Sequence, residues 1–226
     1  MSSESAPLNL SSKDPGYGRS VCQRCGTCCK KGGPSLHLED QGLVETGRIP
    51  LSALVTIRKG EFVYNGRTGR VQRTKGEFIR IQGREKTGWT CLYWDEQDHS
   101  CGIYPDRPIE CRALTCWDTA AIEAIYEAPR LTRVELLQNA SSEWIELIRI
   151  HEEHCSIDRL VAWLEAAPHA DVSQIPSLQE AIAFDMHFRN LTVERSRIHP
   201  NLLPFLFGRP LSVVIRQVRA ALRHPC

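Results

Sequence analysis

Four cysteines within eight residues constrain this chain more than any other feature of its sequence. They follow a C-x2-C-x2-C-C pattern at Cys22, Cys25, Cys28 and Cys29, with Gly26 inside the run. A disulfide needs Cα atoms about 4.4–6.8 Å apart and side chains that face each other, so thiols this crowded pair poorly among themselves. A chain that turns at each C-x2-C step can instead wrap a metal ion or a cluster, and glycine accepts the positive φ that a tight turn often needs. The pattern therefore predicts metal ligation.

Four more cysteines lie between residues 91 and 116, so the predicted site draws on the first half of the 226-residue chain. Eight thiols can form two closed four-coordinate zinc sites, or one iron–sulfur cluster with additional thiols around it. Cys155 lies inside a helical pattern and Cys226 is the last residue, so both are predicted to be structural or incidental. The candidate metal ligands are Cys22, Cys25, Cys28, Cys29, Cys91, Cys101, Cys111 and Cys116. Catalytic and cofactor-binding residues other than these stay unknown.

Charge and hydropathy narrow the possible partners and the location. The 28 Lys and Arg residues balance 27 Asp and Glu residues, for a net charge of +1, so nucleic acid is an unlikely partner. No stretch approaches 18 apolar residues and residues 1–5 do not resemble a signal peptide, which predicts a cytoplasmic protein without a membrane partner. Reducing conditions in the cytoplasm keep thiols unpaired, which favours metal over disulfides. The oligomeric state is left open.

Composition divides the chain into three parts. Residues 1–20 are rich in Ser, Pro and Gly and are predicted to be a flexible leader. Residues 21–117 form the cysteine-cluster metal-binding region, and residues 118–226 form a helical region that is expected to pack on it as one unit. The predicted fold class is α+β, with a small cysteine-rich metal-binding region of short β-hairpins packed against an all-helical C-terminal half.

Hydrophobic periodicity and turn residues place the elements. Short helices are predicted within 35–45 and at 52–55, the second capped by Ser52. Glycine-separated β-branched and aromatic runs predict strands at 62–64, 70–73 and 78–81, and a hairpin over 91–104 that carries a thiol on each arm. Apolar residues at spacings of three and four, with caps at Asp118 or Thr119 and at Ser156, predict the later helices. These helices cover 120–126, 141–155, 157–164, 177–188 and 211–223.

Three cysteine-bearing parts in a fixed order carry a resemblance to a known family. The first is the C-x2-C-x2-C-C run, the second is the segment from Cys91 to Cys101, and the third is Ile103-Tyr104-Pro105 with Arg107-Pro108 leading to Cys111-Arg112. Together these parts, which cover about residues 20–117, resemble the cysteine-cluster family named for the C-x2-C-x2-C-C motif and described as zinc- or iron-chelating. The resemblance implies a metal site built from the eight cysteines and implies little about its role. Flagellin lysine methylase is a distant relative of the same family, but this chain has no glycine-rich nucleotide loop to support that activity.

The identity of the metal is left open between zinc and an iron–sulfur cluster. Two zinc ions would leave the eight thiolates with excess negative charge, which nearby Arg and Lys residues can offset. The C-x2-C-x2-C part is similar to the three-thiolate run of cubane ferredoxins, although the proline that follows the fourth cysteine there is missing here. The comparison slightly favours an iron–sulfur cluster of the 4Fe-4S type.

The segment His151-Glu152-Glu153-His154 does not predict a metalloprotease. That chemistry needs two histidines four residues apart on a helix, and these are three apart, so a solvated helix face is predicted.

Two functional hypotheses remain. The first is a cytoplasmic metal-binding protein whose centre is structural or redox-active, with the helical half offering a surface to a protein partner. The second is a metal- or cluster-dependent enzyme that performs redox chemistry or methyl transfer on a protein or small molecule. A closed site uses every ligand position, whereas a catalytic site keeps one open.

Overall fold

The computed structural model of the protein describes residues 22–84, 89–139 and 142–223. The predicted leader over residues 1–20 and Cys226 lie outside the described residues, and the proposed boundary at residue 117 stays a prediction.

The first half of the chain contains short antiparallel strand pairs. β1 pairs with β4, β2 with β3, and β5 with β6, so each sheet is a two-stranded ribbon. The three strands predicted between residues 62 and 81 are confirmed as β2, β3 and β4. The strands are β1 Leu54–Ile57, β2 Phe62–Asn65, β3 Arg70–Arg73, β4 Phe78–Ile81, β5 Trp94–Asp95 and β6 Ser100–Cys101.

The predicted helix at 52–55 is wrong. A 3-10 turn, Leu51–Ala53, leads directly into β1, and Ser52 makes no side-chain cap. The run Val55-Thr56-Ile57 is β-branched, and β4 offers an unpaired strand edge against which Leu54, Thr56 and Ile57 are buried. Pairing with a strand distant in sequence therefore overrides the weak helical cap signal.

Helices dominate the second half, which confirms the α+β class. The helix predicted over 141–155 is described as Ser142–His154. The helix predicted at 177–188 extends over Pro176–Ser196. Asp118 accepts a hydrogen bond from Ala120 N at the start of α3. The helices are α1 Gln41–Glu45, α2 Ile109–Ala113, α3 Ala120–Ala124, α4 Arg133–Leu137, α5 Ser142–His154, α6 Ile157–Ala166, α7 Pro176–Ser196, α8 Leu203–Phe207 and α9 Leu211–Arg223.

Two hydrophobic clusters organise these elements. The first joins the β1–β4 pair to α8, and it draws residues from both halves of the chain: Leu36 and Leu131 are fully buried on it beside Phe205. The hydroxyl of Thr56 donates to the carbonyl of Phe205 at 2.5 Å, which fastens α8 to β1. The second cluster packs α6, α7 and α9 together. The cysteine-bearing region is thus anchored to the helices through the first cluster.

A buried arginine, Arg133, ties the residue before β4 to α5 and α8. The Arg133 guanidinium binds Glu77 and Glu152 and donates to the carbonyl of Leu206 at 2.6 Å. Burial of these charges is tolerated because each is paired and hydrogen-bonded. No helix of the described ranges is both long enough and apolar enough to cross a membrane.

We expect Leu131→Ala to lower the free energy of unfolding by about 2–5 kcal/mol, because a fully buried side chain is replaced by a cavity. The matched control is Val134→Ala, three residues away, whose side chain is 67% exposed. Urea unfolding followed by circular dichroism should show a change within about 0.5 kcal/mol for this control. Equal losses in the two variants would contradict the proposed first cluster.

Candidate metal centre

The C-x2-C-x2-C-C run folds into tight turns against Trp94. Gly26 has φ +74°, and a Cβ atom there would lie 2.3 Å from the indole ring of Trp94. The amide of Lys30 donates to the carbonyl of Gly26 at 2.8 Å, and Cys29 begins a short 3-10 helix. Both the backbone conformation and the close approach therefore require glycine at position 26.

A backbone hydrogen bond joins this run to the second cysteine-bearing segment. The amide of Cys91 donates to the carbonyl of Cys29 at 2.8 Å. The predicted hairpin exists as β5 and β6, but only Cys101 lies in a strand, opposite Trp94. Cys91 precedes β5 and forms an isolated bridge with Gly83, so the prediction of one thiol on each arm is corrected in this respect. Cys101 nevertheless lies close enough to help raise the pKa of Cys91.

Buried carboxylates position α2, the helix that carries Cys111. Asp40 Oδ1 accepts a hydrogen bond from Ile109 N at 2.8 Å, which satisfies a free amide at the start of the helix. Glu110 accepts from the amide of Ser35 at 2.7 Å and contacts His37 Nε2 at 3.2 Å. These bonds fix α2, which carries Cys111, against the segment around Ser35 and Asp40 that follows the first cysteine run.

The thiols of these three elements perturb one another. The Sγ atoms of Cys28 and Cys29 lie 3.9 Å apart, and the hydrogen bond from Cys29 lowers the pKa of Cys28 to about 6. The same hydrogen bond, together with burial, raises the pKa of Cys29. Burial raises the pKa of Cys91 and of Cys111, and the neighbouring thiols raise both further. Ionising the whole set without a cation is therefore unfavourable, and a bound cation would relieve the repulsion, so the donor set fits a thiophilic metal.

The structure brings five of the eight predicted ligands into this electrostatically coupled group. Cys28, Cys29, Cys101 and Cys111 are half-buried and Cys91 is buried, whereas the remaining three are exposed. Among those three, a hydrogen bond with Thr27 lowers the pKa of Cys25. The group consists of Cys28, Cys29, Cys91, Cys101 and Cys111, and the exposed thiols are Cys22, Cys25 and Cys116.

Arginine side chains supply positive charge beside the thiols. The guanidinium groups of Arg24 and Arg107 lie 4.5 Å and 3.7 Å from the ring centroid of Tyr104. The charge of Arg107 contributes to the lowered pKa of Cys28. Arg107 also donates to the carbonyl of Tyr104 at 3.0 Å, so it shapes the loop as well.

The predicted solvated face at residues 151–154 is wrong for His151, which is fully buried. Its Nε2 donates to Asp185 Oδ1 at 2.7 Å. Glu153 and His154 are exposed as predicted, and Cys155, predicted to be structural or incidental, is buried. His151, Cys155 and Asp185 place donor atoms within 4.8 Å of one another. The i, i+4 spacing of His151 and Cys155 could have signalled this group, but Asp185 comes from another helix and carries no motif.

The surroundings of this trio favour a structural network over a nucleophile or a metal site. Both carboxylate oxygens of Asp185 are occupied, because Arg189 Nε binds Oδ1 at 2.7 Å and Leu211 N binds Oδ2 at 2.9 Å. Burial alone would raise the pKa of Asp185, but its hydrogen bond from His151 and the charge of Arg189 lower it to about 2. Burial raises the pKa of Cys155 to about 12, so this thiol stays protonated at neutral pH.

Residues 21–132 match the model of the family CxxCxxCC, described as "Putative zinc- or iron-chelating domain". No curated protein and no solved structure matches the chain. The matched range contains all eight predicted ligands and ends before the helices α4 to α9.

We expect Gly26→Ala to destabilise the protein more than Gly47→Ala. Both positions have φ +74°, so each alanine incurs the cost of a left-handed conformation, about 1–2 kcal/mol. Only position 26 adds a collision with Trp94, since nothing lies within 4 Å of a Cβ at position 47. Overpacking should add about 1–3 kcal/mol.

Urea unfolding of the metal-containing protein measures this difference, and metal analysis should show loss of metal in Gly26→Ala alone. Identical behaviour of the two variants would refute the packing of the cysteine run on Trp94.

Proposed function

This chain belongs, through residues 21–132, to the CxxCxxCC family, and we propose that it holds a metal–thiolate centre at the cysteine cluster. The ligands are drawn from Cys22, Cys25, Cys28, Cys29, Cys91, Cys101, Cys111 and Cys116. The chain is proposed to act in the cytoplasm as a metal-binding protein whose centre is structural or redox-active.

One observation carries this proposal: thiols from three separate elements meet in a half-buried group. Cys28 and Cys29 are joined to Cys91 by a backbone hydrogen bond, and Cys111 is fixed beside them by α2. Neutral thiols tolerate burial together, but ionising several of them at once is unfavourable because each negative charge disfavours the next. A thiophilic cation offsets this repulsion because it binds thiolates as ligands, and its binding adds free energy to the folded state.

An iron–sulfur cluster is the occupant that we favour. A tetrahedral zinc site with Zn–S distances of about 2.3 Å spaces its sulfurs about 3.8 Å apart. The Sγ atoms of Cys28 and Cys29, 3.9 Å apart, have this spacing. Within the described ranges, however, no three of the predicted thiol ligands lie within 4.8 Å of one another. The group of donor atoms that meets this distance is His151, Cys155 and Asp185. Apart from the Cys28–Cys29 pair, whose 3.9 Å spacing fits zinc instead, the thiols are more widely spread, and this supports a group in which each cysteine binds a different iron atom.

The residues around the thiols would serve the bound group in distinct ways. Arg24 and Arg107 would offset the negative charge of the ligated thiolates, and Trp94 would shield one side from water. A bound iron–sulfur cluster supplies one-electron chemistry or a cross-link between distant segments. The helical half is proposed to meet a protein partner, since Ile145 and Met186 expose apolar side chains there.

A metal-dependent enzyme is the second candidate, and one specific feature favours it. A cleft lined by Arg80, which has no salt bridge within the described residues, lies directly after the first cysteine run, as described in the next subsection. Such a cleft would place a substrate near the centre, which a purely structural site does not need.

Elemental analysis and visible absorption of protein purified without oxygen test the proposal. We expect about four iron and four sulfide per chain with visible colour. One or two zinc ions in colourless protein would overturn the iron–sulfur assignment and keep the metal–thiolate centre. Absence of bound metal would overturn both.

Replacing a clustered thiol should remove the metal. We expect Cys28→Ser and Cys111→Ser each to lose most of the bound metal, because serine does not replace a thiolate ligand. Cys155→Ala is the matched control, since Cys155 is as buried as Cys91 but lies in the helical network. Metal content of all three variants, measured after purification without oxygen, gives the answer, and full metal content in Cys28→Ser and Cys111→Ser would contradict the assignment.

A further inference from the structure

A cleft of ≈ 320 Å³ opens between the β1–β4 pair and the start of α9. Gly32 and Gly33, which follow the first cysteine run, form one wall. This volume lies at the lower end of the range of about 300–1,000 Å³ that small-molecule sites occupy. The residues that decide its chemistry are Arg80, Trp89, Arg209, Val213 and Gln217.

Arg80 brings positive charge to the cleft. It projects from β4, is half-buried, and donates one hydrogen bond, to the carbonyl of Gly33 at 2.5 Å. Within the described residues no salt-bridge partner lies beside it, and Glu110 attracts it only from farther away. Arg209, on the same cleft, differs because its guanidinium is paired with Glu61. The cleft therefore holds one guanidinium that is available to an anion.

The remaining walls are mostly apolar. Val55, Ile57 and Val213 line the cleft, and the indole of Trp89 is 59% exposed beside them. The side-chain oxygen of Gln217 is buried there with no hydrogen-bond partner. A ligand that fits these walls has an apolar body and a polar end. The Gln217 oxygen is an acceptor and pairs only with a donor on the ligand, so an anionic head group is left to Arg80.

Glycine at position 32 keeps the arginine accessible. Gly32 has φ +126°, and a Cβ atom there would lie 2.8 Å from Arg80 Nη2 and 3.5 Å from the carbonyl oxygen of Trp89. Any larger residue would occupy the space in front of the guanidinium.

We propose that this cleft binds a small organic anion. Its oxyanion head group, a carboxylate or a phosphate, pairs with the guanidinium of Arg80, and its apolar body lies against Val213 and Trp89. Guanidinium recognises both head groups through paired N–H donors, so they share one chemistry. None of these side chains is a proposed metal ligand, although the charge of Arg80 also acts on the thiol of Cys91. The test therefore reads ligand binding, and the metal content of each variant is measured beside it.

Isothermal titration calorimetry on the metal-containing chain tests the site with three probes of similar size. These probes are 4-phenylbutyrate, phenyl phosphate and the neutral 4-phenyl-1-butanol. We expect at least one anion to bind about tenfold or more tightly than the alcohol, because a charge-assisted hydrogen bond is lost with the neutral probe. The tighter anion identifies the head group.

Two variants and a control separate charge from shape. Arg80→Gln should weaken anion binding about tenfold or more while leaving the alcohol unchanged. Val213→Trp, which fills the cleft, should weaken all probes, and Arg70→Gln, on the exposed strand β3, should change none. An unchanged unfolding transition shows that each variant is folded. Equal affinity for anion and alcohol, full anion affinity in both cleft variants, or no binding of either anion to the unaltered chain would overturn the proposal.

Discussion

Hydrogen bonding along β4 is the constraint on which the cysteine cluster depends. The segment after the first cysteine run follows one edge of this strand, where the amide of Leu36 donates to the carbonyl of Ile79, and β1 covers the other edge. The second cysteine-bearing part follows β4 in the chain. Its first cysteine, Cys91, donates its amide to the carbonyl of Cys29, which joins this part to the first cysteine run. A strand only four residues long thus holds both parts, and the helices stabilise it by burying its apolar face.

Electrostatics distinguish the buried polar groups of the two halves. In the helical half, the negative charge of Asp185 is matched by His151 and Arg189 within the chain. In the cysteine-rich half the neighbouring thiols oppose the ionisation of Cys91 and Cys111, and on the neighbouring cleft Arg80 has no salt bridge to any described carboxylate. Incomplete charge balance on this side of the molecule marks the places where a metal and an anion would each supply the missing charge.

Sequence periodicity was reliable where neighbouring residues decide the outcome. The strands β2 and β3 and the helix α9 lie where the pattern predicts them, because turn glycines and a clear apolar face define each one. It failed at β1, whose pairing with β4 comes from residues more than 20 positions away. It also failed at His151, because burial there depends on Asp185, 34 residues along the chain.

The sequence alone determined the family, the α+β class and the pool of candidate ligands, since C-x2-C spacing and thiol chemistry are local properties. Only the tertiary structure decided that the amide of Cys91 bonds the carbonyl of Cys29, and that Arg80 has no salt-bridge partner among the described residues. The physical reason is the distance along the chain over which each interaction acts. Backbone turns act over a few residues, whereas coupling between thiols and the pairing of a buried charge depend on distances that packing alone sets.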